Sequence, residues 1–268
     1  MTVAGLPMYD LPELRAATAA WWDGLARAFR REGLADLPDR LSFDLPYRSL
    51  WGRADLLFGQ ACGYPLMHEF RGRLAVVATP CYEAPGCEGA HYRSVVIVRD
   101  GSPAICLADL EGARAAYNAK DSQSGYNALR WLLAPLAKSG RFLAGTIETG
   151  SHLASIAAVR ESDADLAAID CVVYALAMRH RPDLLYGTRV IAAGPPAPSL
   201  PYVTAAARTP DDLARLRAGL KDALADPGLA WAREALLIAG AEILPDDAYD
   251  VILAQEREAT ERGYGDLA

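Results

Sequence analysis

The sequence is short of several things, and each shortage removes a class of protein. No run approaches the roughly 18 unbroken apolar residues that a membrane span needs. Histidine occurs only four times, and the five cysteines (Cys62, Cys81, Cys87, Cys106, Cys171) include no CxxC pair. Only His91 stands near a cysteine pair, so no metal-ligand spacing emerges, and no metal or other cofactor is called for. An odd, scattered cysteine set fits reduced thiols better than a disulfide framework. Cys81 and Cys87, which flank Pro85-Gly86, could bridge if the protein were exported. Walker, GxGxxG, GxSxG and HExxH motifs are all missing. Ser151, His152 and Asp170 could be assembled on paper into a triad, but adjacent Ser and His side chains diverge on a helix. Positive charge is in the minority too: 27 Lys and Arg face 34 Asp and Glu, a formal net charge of -7. That balance argues against nucleic acid or an anionic membrane as partner. It leaves a small anion possible, because a local ring of N–H donors can hold one inside an acidic protein.

What is present is an ordinary globular composition, 52% hydrophobic and 23% charged, in 268 residues, enough for one large domain or two small lobes. Met1 to Pro7 carries no Lys or Arg and lacks the basic, apolar and small-residue sections of a secretory signal. The expectation is therefore a cytoplasmic protein, or a periplasmic one whose native signal is missing from this sequence.

Short β-rich runs alternate with helical ones, which predicts α/β with a largely parallel sheet. Strands are expected at 3–8, 40–43, 54–59, 74–78, 93–99, 114–117, 142–148, 164–169 and 202–204. Helices are expected at 12–31, after 125, up to 160, up to 180, and at 210–224, 229–238 and 246–263. Asp10 with Glu13 resembles a capping box at the first helix. The proline-rich stretch 194–201 and the loop near 80–90 bracket a middle block. A lobe at 81–194 inserted between 1–80 and 195–268, joined by two hinge crossings, is the expected organisation.

Ligands of α/β sheets bind where strands give way to helices. In the middle block those turns read Asp121-Ser122-Gln123-Ser124-Gly125-Tyr126, Thr149-Gly150-Ser151-His152 and Asp170-Cys171. Short hydroxyls and glycine before a helix supply free N–H groups, rotatable donors and close backbone approach, which suit an oxyanion. The same serines and Asp170 are also good N-caps. His152 is either a second donor or a solvated residue. In the outer lobe Tyr9 and Tyr64 follow strands and could cover a ligand or serve as interface aromatics; Gln60 and Cys62 share the second of those turns.

Together these residues carry a likeness. Asp55 to Tyr64, Ala84 to Gly89, Tyr92-Arg93-Ser94, Asp121 to Asn127, Thr149 to His152 and Ala167 to Asp170 make the chain resemble the phosphate/phosphite/phosphonate-binding proteins of ABC importers. The resemblance implies the two-lobed type II periplasmic-binding-protein fold, with a mixed sheet flanked by helices in each lobe. It implies that Ser122, Gln123, Ser124 and Gly125 cradle the anion and that His152 joins them. Tyr9 and Tyr64 would close from the other lobe, and Asp170 would face the ligand's variable group. An ABC permease is the implied partner, and a monomer or weak dimer the expected state. Gln123 is larger than the small hydroxyl residue frequent between the two serines in relatives. A cytoplasmic enzyme or ligand sensor on the same fold is the alternative.

Overall fold

The structure, a computed structural model, describes residues 2–268; Met1, in the expected first lobe, lies outside them. In chain order the strands are β1 (Val3–Gly5), β2 (Leu56–Gln60), β3 (Leu74–Tyr82), β4 (His91–Tyr92), β5 (Ser94–Arg99), β6 (Arg114–Tyr117), β7 (Gly145–Glu148), β8 (Leu166–Asp170), β9 (Thr188–Ala193), β10 (Ala197–Pro198), β11 (Tyr202–Ala205) and β12 (Ile238–Glu242). The helices are α1 (Arg15–Arg31), α2 (Tyr47–Trp51), α3 (Gly63–Met67), α4 (Ala128–Leu133), α5 (His152–Arg160), α6 (Cys171–His180), α7 (Pro182–Leu185), α8 (Pro210–Ala225), α9 (Ala230–Ala235) and α10 (Asp250–Glu261).

Contacts divide the chain into two compact units. The first comprises residues up to Glu83 with Pro198–Asp246, the second Ala84–Ala197 with Asp247–Ala268. The expectation that everything after 195 belongs with the N-terminal part therefore needs correction for the last 22 residues. They pack on the second unit because α4 offers both an apolar face and polar anchors. Ala259, Tyr264 and Leu267 are buried in the same core as Leu129 and Leu133. Arg130 pairs with Glu256 at 3.2 Å, and Trp131 Nε1 donates to Glu258 at 2.7 Å.

In the first unit the strand order is β1-β2-β11-β3-β12. Only β1 and β2 run parallel; β11 and β12 pair antiparallel with their neighbours. The second unit has the order β7-β6-β8-β5-β9. There β6 is parallel to both β7 and β8, while β5 is antiparallel to β8 and β9. Each sheet is thus mixed rather than largely parallel. Val96, Val98, Ala115, Leu166 and Ala168 bury one face against α4, and Ile97, Ala116, Ala167 and Ile169 bury the other with Ile156 and Val159 of α5.

Some local expectations give way to packing. Residues 40–43 form irregular chain with bends at 40 and 43, not a strand. Asp10 does not cap the first helix; it pairs with Arg15 at 3.0 Å, and the short 3-10 turn Pro12–Leu14 precedes α1 without a side-chain cap. The segment read as one helix over 229–238 is a shorter helix followed by β12, with Leu237 at φ 58 marking the switch. No helix among the described residues is long and apolar enough to cross a membrane.

Candidate functional site

Because β6 pairs parallel with β7 and β8, the turns that follow all three leave the same edge of the second unit's sheet. Tyr117, Glu148 and Asp170 end these strands. The turn after β6 ends in Ser122, whose extended backbone (φ -88, ψ 127) and side chain accepting from Gly125 N make it an N-cap. Gln123–Asn127 then form one π-helical turn, with Asn127 N donating to Ser122 O at 3.0 Å, before α4 continues the helix. A π turn widens the backbone and is frequently found at functional sites. A helix start leaves its first N–H groups without a carbonyl inside the helix, here those of Gln123 and Ser124.

Gly125 is required by crowding. A Cβ there would collide with Asn118 Oδ1 and come 3.2 Å from His152 Cε1. Asn118 also receives Gly150 N on its carbonyl oxygen at 2.9 Å, and Thr149 N donates to the Tyr117 carbonyl at 2.8 Å. These bonds lash the second turn to the first. Gly150, at φ 84, supplies the left-handed residue that the tight connection needs. Ser151 then caps α5 by accepting from Ala154 N at 3.1 Å.

The result is a contact between the two turns: Ser124 Oγ and His152 Nε2 are 2.9 Å apart. Ser124 is held from behind as well, since Ser94 Oγ donates to its carbonyl oxygen at 2.8 Å. Burial pushes the His152 imidazole down to about 4, against a weaker opposite pull from the Ala168 backbone. The ring is neutral at physiological pH, so each nitrogen is a hydrogen-bonding atom without a full charge. Asp170 is buried at the end of β8, opposite Ser94 in the ladder. Its Oδ1 accepts from Val172 N at 2.7 Å and Val173 N at 3.2 Å, the N-cap role.

Two expected contacts point elsewhere. The Gln123 side chain is buried: its Nε2 donates to Gln255 Oε1 at 2.6 Å, and its Oε1 accepts from Asn127 Nδ2 at 2.8 Å. Tyr126 turns inward, edge-on to Tyr117 at 4.9 Å, with its hydroxyl donating to Asp266 at 2.9 Å. Burial, chiefly, raises that phenol to about 12. Gln123 thus brings its backbone N–H rather than its side chain to the turn, and the Tyr126 N–H is already donated to the Ser122 carbonyl at 3.3 Å. Sequence reasoning placed Ser94 in the family likeness without giving it a role, and passed over Asn118. Their one sequence signal is that a small polar residue stands at the end of a strand.

In the first unit Gln60 ends β2, buried, donating to Tyr82 Oη at 2.7 Å and to the Leu200 carbonyl at 3.1 Å. Tyr9 lies edge-on to Tyr82 at 5.4 Å. Both line a narrow recess of about 30 Å³ with Trp21, Tyr82 and Tyr202, room for about one water. Tyr64 is in α3, stacked on His68 at 4.2 Å, and Cys62 is the residue before that helix. Neither is among the residues that line the Tyr9–Gln60 recess.

The family model for the periplasmic substrate-binding protein of phosphonate ABC transporters matches residues 48–249, about three-quarters of the chain. The chain belongs to that family. Sequence comparison with proteins of curated function finds no match. The chain is similar in fold to the binding component of an ABC phosphonate transporter from Pseudomonas aeruginosa, with TM-score 0.77 and 16% identity over 97% of this chain and 87% of that one. PhnD1 from Prochlorococcus marinus, solved with methylphosphonate, matches at TM-score 0.73 and 12% identity over 97% and 98%. A Xanthomonas citri protein solved with ATP matches at TM-score 0.71 and 19% identity, again over 97% and 98%. At these identities the likenesses establish the type II periplasmic-binding-protein fold, and with the family they make this a solute-binding protein.

Proposed function

We propose that the second unit holds a small phosphorus oxyanion on the Ser122–Gly125 turn and His152. The observation that carries this is the 2.9 Å contact between Ser124 Oγ and His152 Nε2, which brings two helix starts to one point. The N–H groups of Gln123 and Ser124, the Ser122 and Ser124 hydroxyls and the edge of the imidazole supply donors where the helix dipole favours negative charge. Ser122 serves as cap and donor together: its oxygen accepts from Gly125 N while its proton remains to give. Asp170 stands at the end of β8, where contact with the ligand's substituent is our reading of its role.

The family supports delivery to an ABC permease and work in the periplasm as this chain's role. A neutral His beside a Ser is also what a nucleophile and its base look like. An imidazole held near 4 is a poor base at neutral pH, so that contact favours binding over catalysis. Thermal shift against methylphosphonate, phosphite, phosphate, sulfate and ATP tests the reading. A ligand at a hundred times its Kd adds about 2.7 kcal/mol, a rise of roughly 5–10 °C for a chain of this size. No shift with any phosphorus oxyanion sinks it.

A further inference from the structure

Cys87 and Cys171 are 84 residues apart in sequence, yet their sulfur atoms stand 3.5 Å apart. Both belong to the second unit, which begins at Ala84. Each is fixed by backbone. Cys87 N donates to the Ala84 carbonyl at 3.0 Å, and Glu88 and His91 exchange hydrogen bonds of 2.9 and 3.0 Å directly after it. Gly86, at φ 97, brings the turn so close that a side chain there would meet Cys171 Sγ at 3.4 Å. Cys171 opens α6, with its N–H donating to the Arg93 carbonyl at 3.0 Å. The bridge considered from sequence, Cys81 with Cys87, is not what the structure brings together. Cys81 belongs to β3 of the first unit and points its thiol at Glu242, 3.4 Å away.

We propose that Cys87 and Cys171 form a reversible disulfide that fastens the opening turn of the second unit to the start of α6. Closing from 3.5 Å to a bond of roughly 2.05 Å takes a small rotation of either side chain. Cys87 is the partly exposed thiol and Cys171 the buried one, which sets the order of events. The Cys87 thiolate attacks a low-molecular-weight disulfide such as glutathione disulfide. The glutathione S–S bond breaks, one glutathione leaves, and Cys87 carries the other as a mixed disulfide. Cys171 then gives up its proton and attacks Cys87 Sγ, expelling the second glutathione. Two protein thiols are oxidised to one disulfide, one glutathione disulfide is reduced to two thiols, and the two protein protons end on the departing sulfurs. The hydrogen bond to Cys87, burial and the nearby Asp170 charge hold the Cys171 thiol above its ordinary range. Its attack is therefore the slow step.

The bond has a local consequence. Gly86, Glu88, His91, Arg93 and Pro196 line a recess of about 340 Å³, and Cys87 sits between two of these wall residues. Oxidation fixes that wall and reduction frees it. The test uses the full purified chain, incubated with glutathione disulfide and then assayed for thiols in denaturant. The expected count falls from five to three. A non-reducing peptide mass map should show the Cys87 peptide joined to the Cys171 peptide. The melting temperature should rise by about 5–10 °C, reversed by dithiothreitol and absent in Cys87→Ser. Five persisting thiols, a stable glutathione adduct on Cys87 alone, or a bridge between any other pair overturns the proposal. The mass map on the parent chain decides even where a variant fails to fold, and none of these readouts involves the anion.

Discussion

Ser124 Oγ lies 2.9 Å from His152 Nε2, so the first turns of two helices that begin far apart in the chain meet through one hydrogen bond. The partners present a hydroxyl and a neutral imidazole to whatever occupies that point. Ser124→Ala should weaken oxyanion binding by about 10–100-fold, the effect of one hydrogen bond to a charged group. Calorimetry on parent and variant measures it, and an unchanged Kd removes Ser124 from the site.

Gly125 and Asn118 should prove coupled. Gly125→Ala drives its new methyl into Asn118 Oδ1, a buried atom, and is expected to destabilise by about 1–3 kcal/mol. In an Asn118→Ala background the same substitution should cost less than about 1 kcal/mol. Denaturant melts of all four proteins give the cycle. Equal costs in both backgrounds would mean that the crowding lies elsewhere.

Acid should loosen the second unit through His152. Its imidazole titrates near 4 when folded and near 6.5 when unfolded. As pH falls through 6.5 the unfolded chain takes up a proton that the folded one refuses. Stability therefore drops from pH 6.5 toward 4 and levels off below, by about 3 kcal/mol in all. His152→Gln should flatten that slope. If the variant's stability follows the parent's between pH 7 and 4, the burial of this imidazole is not what sets the slope.

Asp170 can be separated into its two parts. Asp170→Asn keeps an oxygen for the Val172 and Val173 amides and should hold stability within roughly 0.5–1 kcal/mol, since Asn caps about as well as Asp. Its effect on affinity then reports the carboxylate's contact with ligand. A ligand panel in which no Kd moves would reduce Asp170 to a cap.

How much of this could be read from the sequence depends on the range of the forces involved. The three strand-to-helix turns of the second unit were legible because N-caps, glycine and short polar runs act within a few residues. The strand 114–117 was likewise visible as a local β-rich run. Residues 40–43 share that local look, but the bond from Ser42 N to the Ala4 carbonyl of β1 at 2.8 Å does not extend into a ladder. Asp10 has a capping spacing, yet Arg15 offers it a stronger, charged partner. Gln123 and Tyr126 were read as site residues from their neighbours in sequence. Their side chains are instead drawn inward by Gln255 and Asp266, more than 130 residues later, which no local pattern announces. Antiparallel insertion of β5 between β8 and β9 is equally non-local, and it made the sheet mixed.

That long reach also bears on how the protein is made. The turn Gln123–Asn127 is backed by Gln255 and by the Ile252 carbonyl, so Gln123 Nε2 lacks its acceptor, and Asn127 Nδ2 one of its two, until α10 leaves the ribosome. A nascent chain can shape the sheet and α5 early, but the second unit is completed only by its last segment. The growing polypeptide is thereby kept short of its native state until synthesis is almost over.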